Sequence, residues 1–185
     1  MSFEESLVLH ASPTLASIKV ANLYSFKFKS VQECEKTIDR FNLIMNPRGI
    51  YIELLNVTSD IYLIYVYRKS QLQIILNDSS NQIFLQEYGY SSQNGMDEVI
   101  NNLKRRLQEE EEFPHEIGVF LGYPLADVKA FIKTKGKNCA LCGDWKAYHN
   151  EEVAKCLFCK YKHCREVYIR VYREGRKLRD MLVSA

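Results

Sequence analysis

Apolar and polar positions change period several times along this chain, and each change marks an element. Residues 2–18 read as a short helix running into HASPTLASIK (His10–Lys19), where Ser12-Pro13 marks a break or the start of a further turn. Ala21–Lys29 alternates apolar and polar residues with aromatic enrichment, which predicts a strand. Val31–Met45 returns to a 3.6-residue period through Val31, Cys34, Ile38, Phe41 and Ile44, with Ser30 as N-cap and Asn46-Pro47-Arg48-Gly49 as a stop. Ile50–Val57 and Asp60–Arg68 are nearly continuous apolar runs around Thr58-Ser59, so they predict two covered strands joined by a tight turn.

From Lys69 the pattern turns helical through Leu72, Ile75 and Leu76, then through Ile83, Phe84 and Leu85. Ser91–Gly95 reads as a loop, and Met96–Glu112 as a helix with Val99, Ile100, Leu103 and Leu107 on one face and Glu109–Glu112 at its end. Phe113-Pro114 opens a helix over His115–Leu121, Gly122-Tyr123-Pro124 breaks it, and Leu125–Lys133 resumes. After the Lys135–Asn138 loop comes a short extended piece, Trp145–Tyr148. Asn150 then caps a helix whose first turn carries Glu151 and Glu152. Val167–Tyr172 alternates like a last strand, and Glu174–Val183 closes the chain as a helix. The sum is an α/β or α+β fold. A small mixed sheet from 21–29, 50–57, 60–68 and 167–172 is covered by helices, ahead of a helical, Cys-rich C-terminal third. Residues 1–185 read as one domain, with 136–185 its basic, Cys-rich part.

Composition supports a folded protein: 46% of the residues are hydrophobic and 26% charged. No apolar run approaches the roughly 20 residues that span a bilayer. The opening MSFEESLVLH lacks the basic start of a secretory signal, so the expected location is cytoplasmic, without membrane contact. Charge is uneven. Residues 132–185 hold 13 Lys/Arg against 6 Asp/Glu, a balance of +7, while the whole chain stands at +2.

Five of the six cysteines, Cys139, Cys142, Cys156, Cys159 and Cys164, fall in one short stretch with His149 and His163. In a reducing compartment such clustering points to metal or redox chemistry rather than disulfides. Two Cys-x2-Cys pairs, Cys139/Cys142 and Cys156/Cys159, have the spacing of thiolate zinc sites, the first followed by Gly143 as in a knuckle. At about 100° per helical residue, Cys156, Cys159 and His163 share one arc, so Cys139, Cys142, Cys156, Cys159 and His163 are the candidate ligands for Zn or Fe. Cys164 lies on the apolar stripe with Leu157 and Tyr168 and reads as a packed thiol. A redox role for the helical pair is disfavoured, because Cys156 lies more than a turn inside its helix, behind two glutamates.

The string His115-Glu116-Ile117-Gly118-Val119-Phe120-Leu121-Gly122-Tyr123-Pro124, then Asp127-Val128 and Phe131-Ile132, carries a resemblance. With Gly143, Trp145-Lys146, Tyr148 and the early HASPTLASIK, it resembles the DUF3793 family of uncharacterised proteins, found mostly in anaerobic Firmicutes. The resemblance implies a bacterial cytosolic protein of about this length. It supplies no catalytic residues.

A small-ligand site is expected from His115 and Glu116, placed where a helix start would offer free N–H groups, with Tyr123 nearby and with His10, Lys19, Trp145 and Lys146. There is no GxSxG, phosphate-binding loop, GxGxxG or HExxH, so enzyme activity is left open. The expected function is a metal- or small-ligand-binding protein linked to anaerobic metal or redox physiology. The alternative is a nucleic-acid or protein interaction module. In that reading Lys160, Lys162, Arg165, Arg170, Arg173, Arg176, Lys177 and Arg179 would track phosphates, with Arg170 on one face of the last strand. A sequence pI near 8.1 and the lack of a reader motif disfavour nucleic acid.

Overall fold

The structure, a computed structural model, describes residues 1–91, 95–109 and 112–184. Most of the predicted Ser91–Gly95 loop and the middle of the Glu109–Glu112 run lie outside the described residues. The chain forms two compact units: Met1–Leu72 with Tyr161 onward, and Gln73–Lys160.

The first unit builds a three-stranded sheet from β1 (Ala21–Lys27), β2 (Ile50–Thr58) and β3 (Ile61–Arg68), in the order β1-β3-β2. Both pairings are antiparallel, and the β2–β3 register shifts at Leu54/Asn56, a bulge that leaves Leu55 without an opposite. The expected mixed sheet included 167–172, which is not part of the observed one. β2 and β3 form a local hairpin, while β1 reaches the other edge of β3 across α2 and so lies antiparallel to it and parallel in direction to β2. Helix α1 (Phe3–Leu15) opens with a reciprocal cap: Glu5 N–H donates to Ser2 Oγ at 3.1 Å, and Ser2 N–H to Glu5 Oε2 at 2.6 Å. It runs on through Ser12-Pro13, where Pro13 has no N–H to give the Leu9 carbonyl, and ends two residues later at Leu15. Helix α2 (Val31–Met45) starts at Ser30 and ends in a 3-10 turn over Asn46–Arg48, where Gly49 takes the left-handed φ of 75°.

Phe3, Leu7, Ala11 and Leu15 from α1 and Cys34, Ile38, Phe41 and Met45 from α2 meet Ile50, Ile52, Ile64 and Val66 in one core. Tyr51, Tyr65 and Tyr67 stack on the other face of the sheet. Arg68 at the end of β3 is fully buried. Its Nε donates to the Thr14 carbonyl at 2.6 Å and its Nη2 to those of Leu15 and Val183 at 2.7 and 2.8 Å. It thereby satisfies the last carbonyls of α1 and ties down the C-terminal tail.

The tail departs from expectation. Val167–Tyr172 is not a strand: α8 runs from Glu151 to Arg173. The same residues that alternate also place Tyr168, Ile169 and Tyr172 at helical spacing, and these pack on the core of the first unit. A helix already formed upstream, with a face to bury, overrides β propensity. Gly175, at φ 94°, follows its end, and the predicted Glu174–Val183 helix reduces to one 3-10 turn at Leu178–Asp180.

The second unit is helical. It contains α3 (Lys69–Asn77, begun in the first unit), α4 (Ser79–Gln86), α5 (Met96–Glu109), α6 (Ile117–Phe120) and α7 (Leu125–Thr134). A two-residue-per-strand hairpin, β4 (Leu141–Cys142) with β5 (Lys146–Ala147), follows, and then the first part of α8. Helix α5 buries Val99, Ile100, Leu103 and Leu107 as its period requires. The His115–Leu121 helix shrinks to the single turn of α6, Ile117–Phe120, which carries the poor helix former Gly118 and is followed by Gly122 at φ 75°.

Candidate functional site

Helix α7 organises the chemistry of the second unit. Asp127, Phe131 and Thr134 lie at i, i+4 and i+7, so they share one face. Asp127 is buried at 2% exposure. Its Oδ2 accepts from Trp145 Nε1 at 2.8 Å, and its Oδ1 from the N–H groups of Tyr148 and His149 at 2.9 and 3.0 Å. The His149 ring adds Nδ1 at 3.1 Å from Oδ1. Burial alone would raise this carboxyl, but the donors outweigh it and hold Asp127 below the ordinary aspartate value. The hairpin and the residues after it are thus fastened to α7 by one ionised side chain.

One turn further along, the Phe131 ring carries His115 edge-on at 4.9 Å between centroids, and Lys146 Nζ lies 5.8 Å from its centre. Lys146 Nζ also donates to the Gly136 carbonyl at 2.7 Å. The Thr134 and Tyr148 hydroxyls are 3.0 Å apart. Tyr123 stacks on Trp145 at 5.3 Å and donates to the Asp144 carbonyl at 2.8 Å. Two imidazoles, a lysine amine and a tyrosine hydroxyl are therefore arrayed along α7. Between residues 117 and 150 the only acids are Asp127, which is buried, and Asp144, against Lys129, Lys133, Lys135, Lys137 and Lys146. That stretch is net positive, and Glu151 and Glu152 follow it at the start of α8.

The expected ligand residues separate. His115, Tyr123, Trp145 and Lys146 gather around α7. Glu116 instead is buried at 1% exposure, accepting from Arg106 Nε at 2.6 Å and Tyr90 OH at 3.0 Å. Burial and the neighbouring Glu116 together hold the Tyr90 phenol far above its ordinary value. That is a buried ion pair holding α5 to the turn before α6. His115 precedes α6 by two residues, so the helix start expected beneath it is absent. His10 and Lys19 belong to the first unit: His10 stacks on Tyr24 at 4.9 Å, and Lys19 is buried with Nζ 5.8 Å from the Tyr161 ring centre. Asp127, Phe131 and His149 were not among the expected residues. The available signal was that Asp127 is the sole acid in residues 117–143 and lies on the α7 face that also carries Phe131.

The cysteines are free, with Cys142, Cys156 and Cys159 exposed and Cys139 half-buried. A Cβ on Gly143 would lie 2.3 Å from the Phe158 ring, and Trp145 meets that ring at 4.5 Å. The hairpin therefore rests on the Phe158 side of α8. At about 100° per residue, Cys159 points about 100° and Cys156 about 160° away from that side. Among the described residues no three His, Cys, Asp or Glu side chains form a group that could hold a metal ion. His163 is exposed on the part of α8 that belongs to the first unit. Arg170 lies on a helix, so the strand stripe expected to track phosphates is absent. No described helix is long and apolar enough to cross a membrane.

An antiparallel α+β unit and a helical unit with a carboxylate-tied hairpin define the class of this protein. The family model described as protein of unknown function (DUF3793) matches residues 7–182, and the chain belongs to that family. Comparison with curated proteins and with solved structures gave no match.

Proposed function

We propose that this is a cytoplasmic protein that binds a small anionic ligand on the α7 face of its second unit. The observation that carries the reading is Asp127. By taking four donors it fixes Trp145, Tyr148 and His149 against α7, and it leaves the remaining charge of the surrounding segment almost wholly lysine. Phe131 supplies an apolar ring, with His115 edge-on to it and Lys146 over its face to pair with negative charge. A zinc or iron ion on the cysteines stays a proposal of the spacing alone, and the facing of Phe158 tells against one ion reaching both pairs.

Trp145 is the chain's single tryptophan, so its fluorescence reports on this site without labelling. Titration with inorganic phosphate is expected to give a saturable change, weakened on the order of tenfold in Lys146→Ala, a loss of about 1.4 kcal/mol. A flat response of the folded wild type up to about 10 mM, well beyond the ordinary metabolite range, would refute the reading.

A further inference from the structure

His149 is placed differently from the other three histidines. Its Nδ1 faces a buried, ionised carboxylate at 3.1 Å while its side chain is 55% exposed. An imidazole bound this way carries its proton on Nδ1, and its Nε2 lone pair points away from Asp127. Among the described residues Nε2 has no hydrogen-bond partner. His10, by contrast, is stacked on Tyr24 in the first unit, and His115 lies edge-on to Phe131 with no ion pair to a carboxylate among the described residues. Lys146 is the nearest basic residue before His149 in the chain, while Glu151 and Glu152 follow it at the start of α8.

We propose that His149 is a phosphoryl-accepting residue. Its Nε2 attacks the phosphorus of a small, activated phosphoryl donor of the phosphoramidate or acyl-phosphate class. The Nε2–P bond forms as the bond from phosphorus to the leaving group breaks, and the leaving group departs with that electron pair. With phosphoramidate the departing molecule is ammonia, which already carries its protons. The ring becomes a phosphorylated imidazolium, and its retained Nδ1–H bears on Asp127, whose negative charge stabilises the positive ring. This rests on the anion-binding reading and deepens it, since the donor is an anion of the kind proposed for the α7 face.

The test is incubation of the folded protein with phosphoramidate, with the modified histidine located by mass spectrometry and by 31P NMR. The four histidines of one chain serve as mutual controls. His149 is expected to react faster than the exposed His115 and His163 on the order of tenfold, and Asp127→Asn to erase that preference. Asp127→Asn also loosens the hairpin, so Trp145→Phe is the companion: it removes the indole bond, keeps the Asp127–His149 pair, and is expected to retain the preference. Equal modification of all exposed histidines, or an unchanged preference in Asp127→Asn, would overturn the proposal whatever the phosphate titration shows. Preferred modification of His149 beside a flat phosphate titration would sustain it and refute only reversible anion binding.

Discussion

Replacing Asp127 by asparagine tests whether one carboxylate holds the hairpin to α7. In the wild type, Oδ1 faces three donors and Oδ2 one. Asparagine keeps the shape but offers one acceptor oxygen. With that oxygen toward Tyr148 and His149, the amide NH2 meets the Trp145 N–H, donor against donor. The opposite flip sets NH2 against three donors and is worse. The better flip loses one hydrogen bond to a charged acceptor and leaves a buried indole N–H unpaired, together about 2–4 kcal/mol. For a chain of this length that corresponds to a fall in Tm of about 4–16 °C, followed by far-UV circular dichroism and by Trp145 emission. The pH dependence carries a sign. Because the folded-state carboxyl is depressed, its stabilisation is complete above the ordinary value of about 3.9 and fades as pH falls through the lower folded value. The gap between wild type and variant should therefore narrow on acidification below about pH 4. A variant within 1 °C of wild type at neutral pH, or a gap that widens in acid, would show that Asp127 is not the tie.

Gly143→Ala is expected to cost about 1–3 kcal/mol, since its Cβ would meet the Phe158 ring at 2.3 Å, and to be nearly neutral when Phe158 is already alanine. A denaturant double-mutant cycle reads that coupling, and additive effects would contradict the packing described. Glu116→Ala leaves Arg106, itself 15% exposed, with the Tyr88 carbonyl but without its carboxylate, and should cost about 3–5 kcal/mol by urea unfolding; a loss under about 1 kcal/mol would mean the pair is not buried in solution. Native thiol labelling at pH 8 should modify Cys142, Cys156 and Cys159 quickly. Cys164, which burial pushes up to about 11, should lag, and Cys34, raised to about 11 by burial first and by Glu35 and Glu33 after it, should react only on unfolding. Joint protection of Cys142, Cys156 and Cys159, lifted by a chelator, would instead establish one metal ion across both pairs.

What the sequence made legible follows from how far each interaction reaches along the chain. Val31–Met45 and Met96–Glu109 carry their own burial pattern, so period alone found them. Ile50–Arg68 is a local hairpin whose β-rich residues agree with their environment. Val167–Tyr172 went wrong because its alternation is compatible with both periods, and only the core waiting beneath Tyr168 and Tyr172 decides between them. The site divides the same way. His115, Trp145 and Lys146 were recognisable as chemistry-bearing types, but Glu116 was equally so, and its partners Tyr90 and Arg106 lie 26 and 10 residues away. Spacing within a motif carries no information about partners at that range, so a buried structural carboxylate and a ligand-binding one look alike.

The cysteines show how little spacing fixes by itself. Two pairs at metal-like spacing invite a single tetrahedral site, yet the spacing fixes only which turn each pair occupies, not which way α8 is rotated. Rotation is set by what the helix must bury. Ala154, at 2% exposure, and Phe158, pressed on Gly143 and Trp145, claim one side of the second-unit part of α8. The thiols of Cys156 and Cys159 are left on the other side. Apolar burial at roughly 25 cal/mol per Å2 over two side chains is a few kcal/mol, available without any ion. A structural zinc would have to turn α8 against that preference to draw Cys156 toward Cys142. Hairpin and helix are joined by an aromatic contact, and Asp127 ties the hairpin to α7. The same carboxylate that steadies the hairpin also leaves one imidazole nitrogen facing outward, which is why stability and chemistry in this unit converge on Asp127 and separate only at His149.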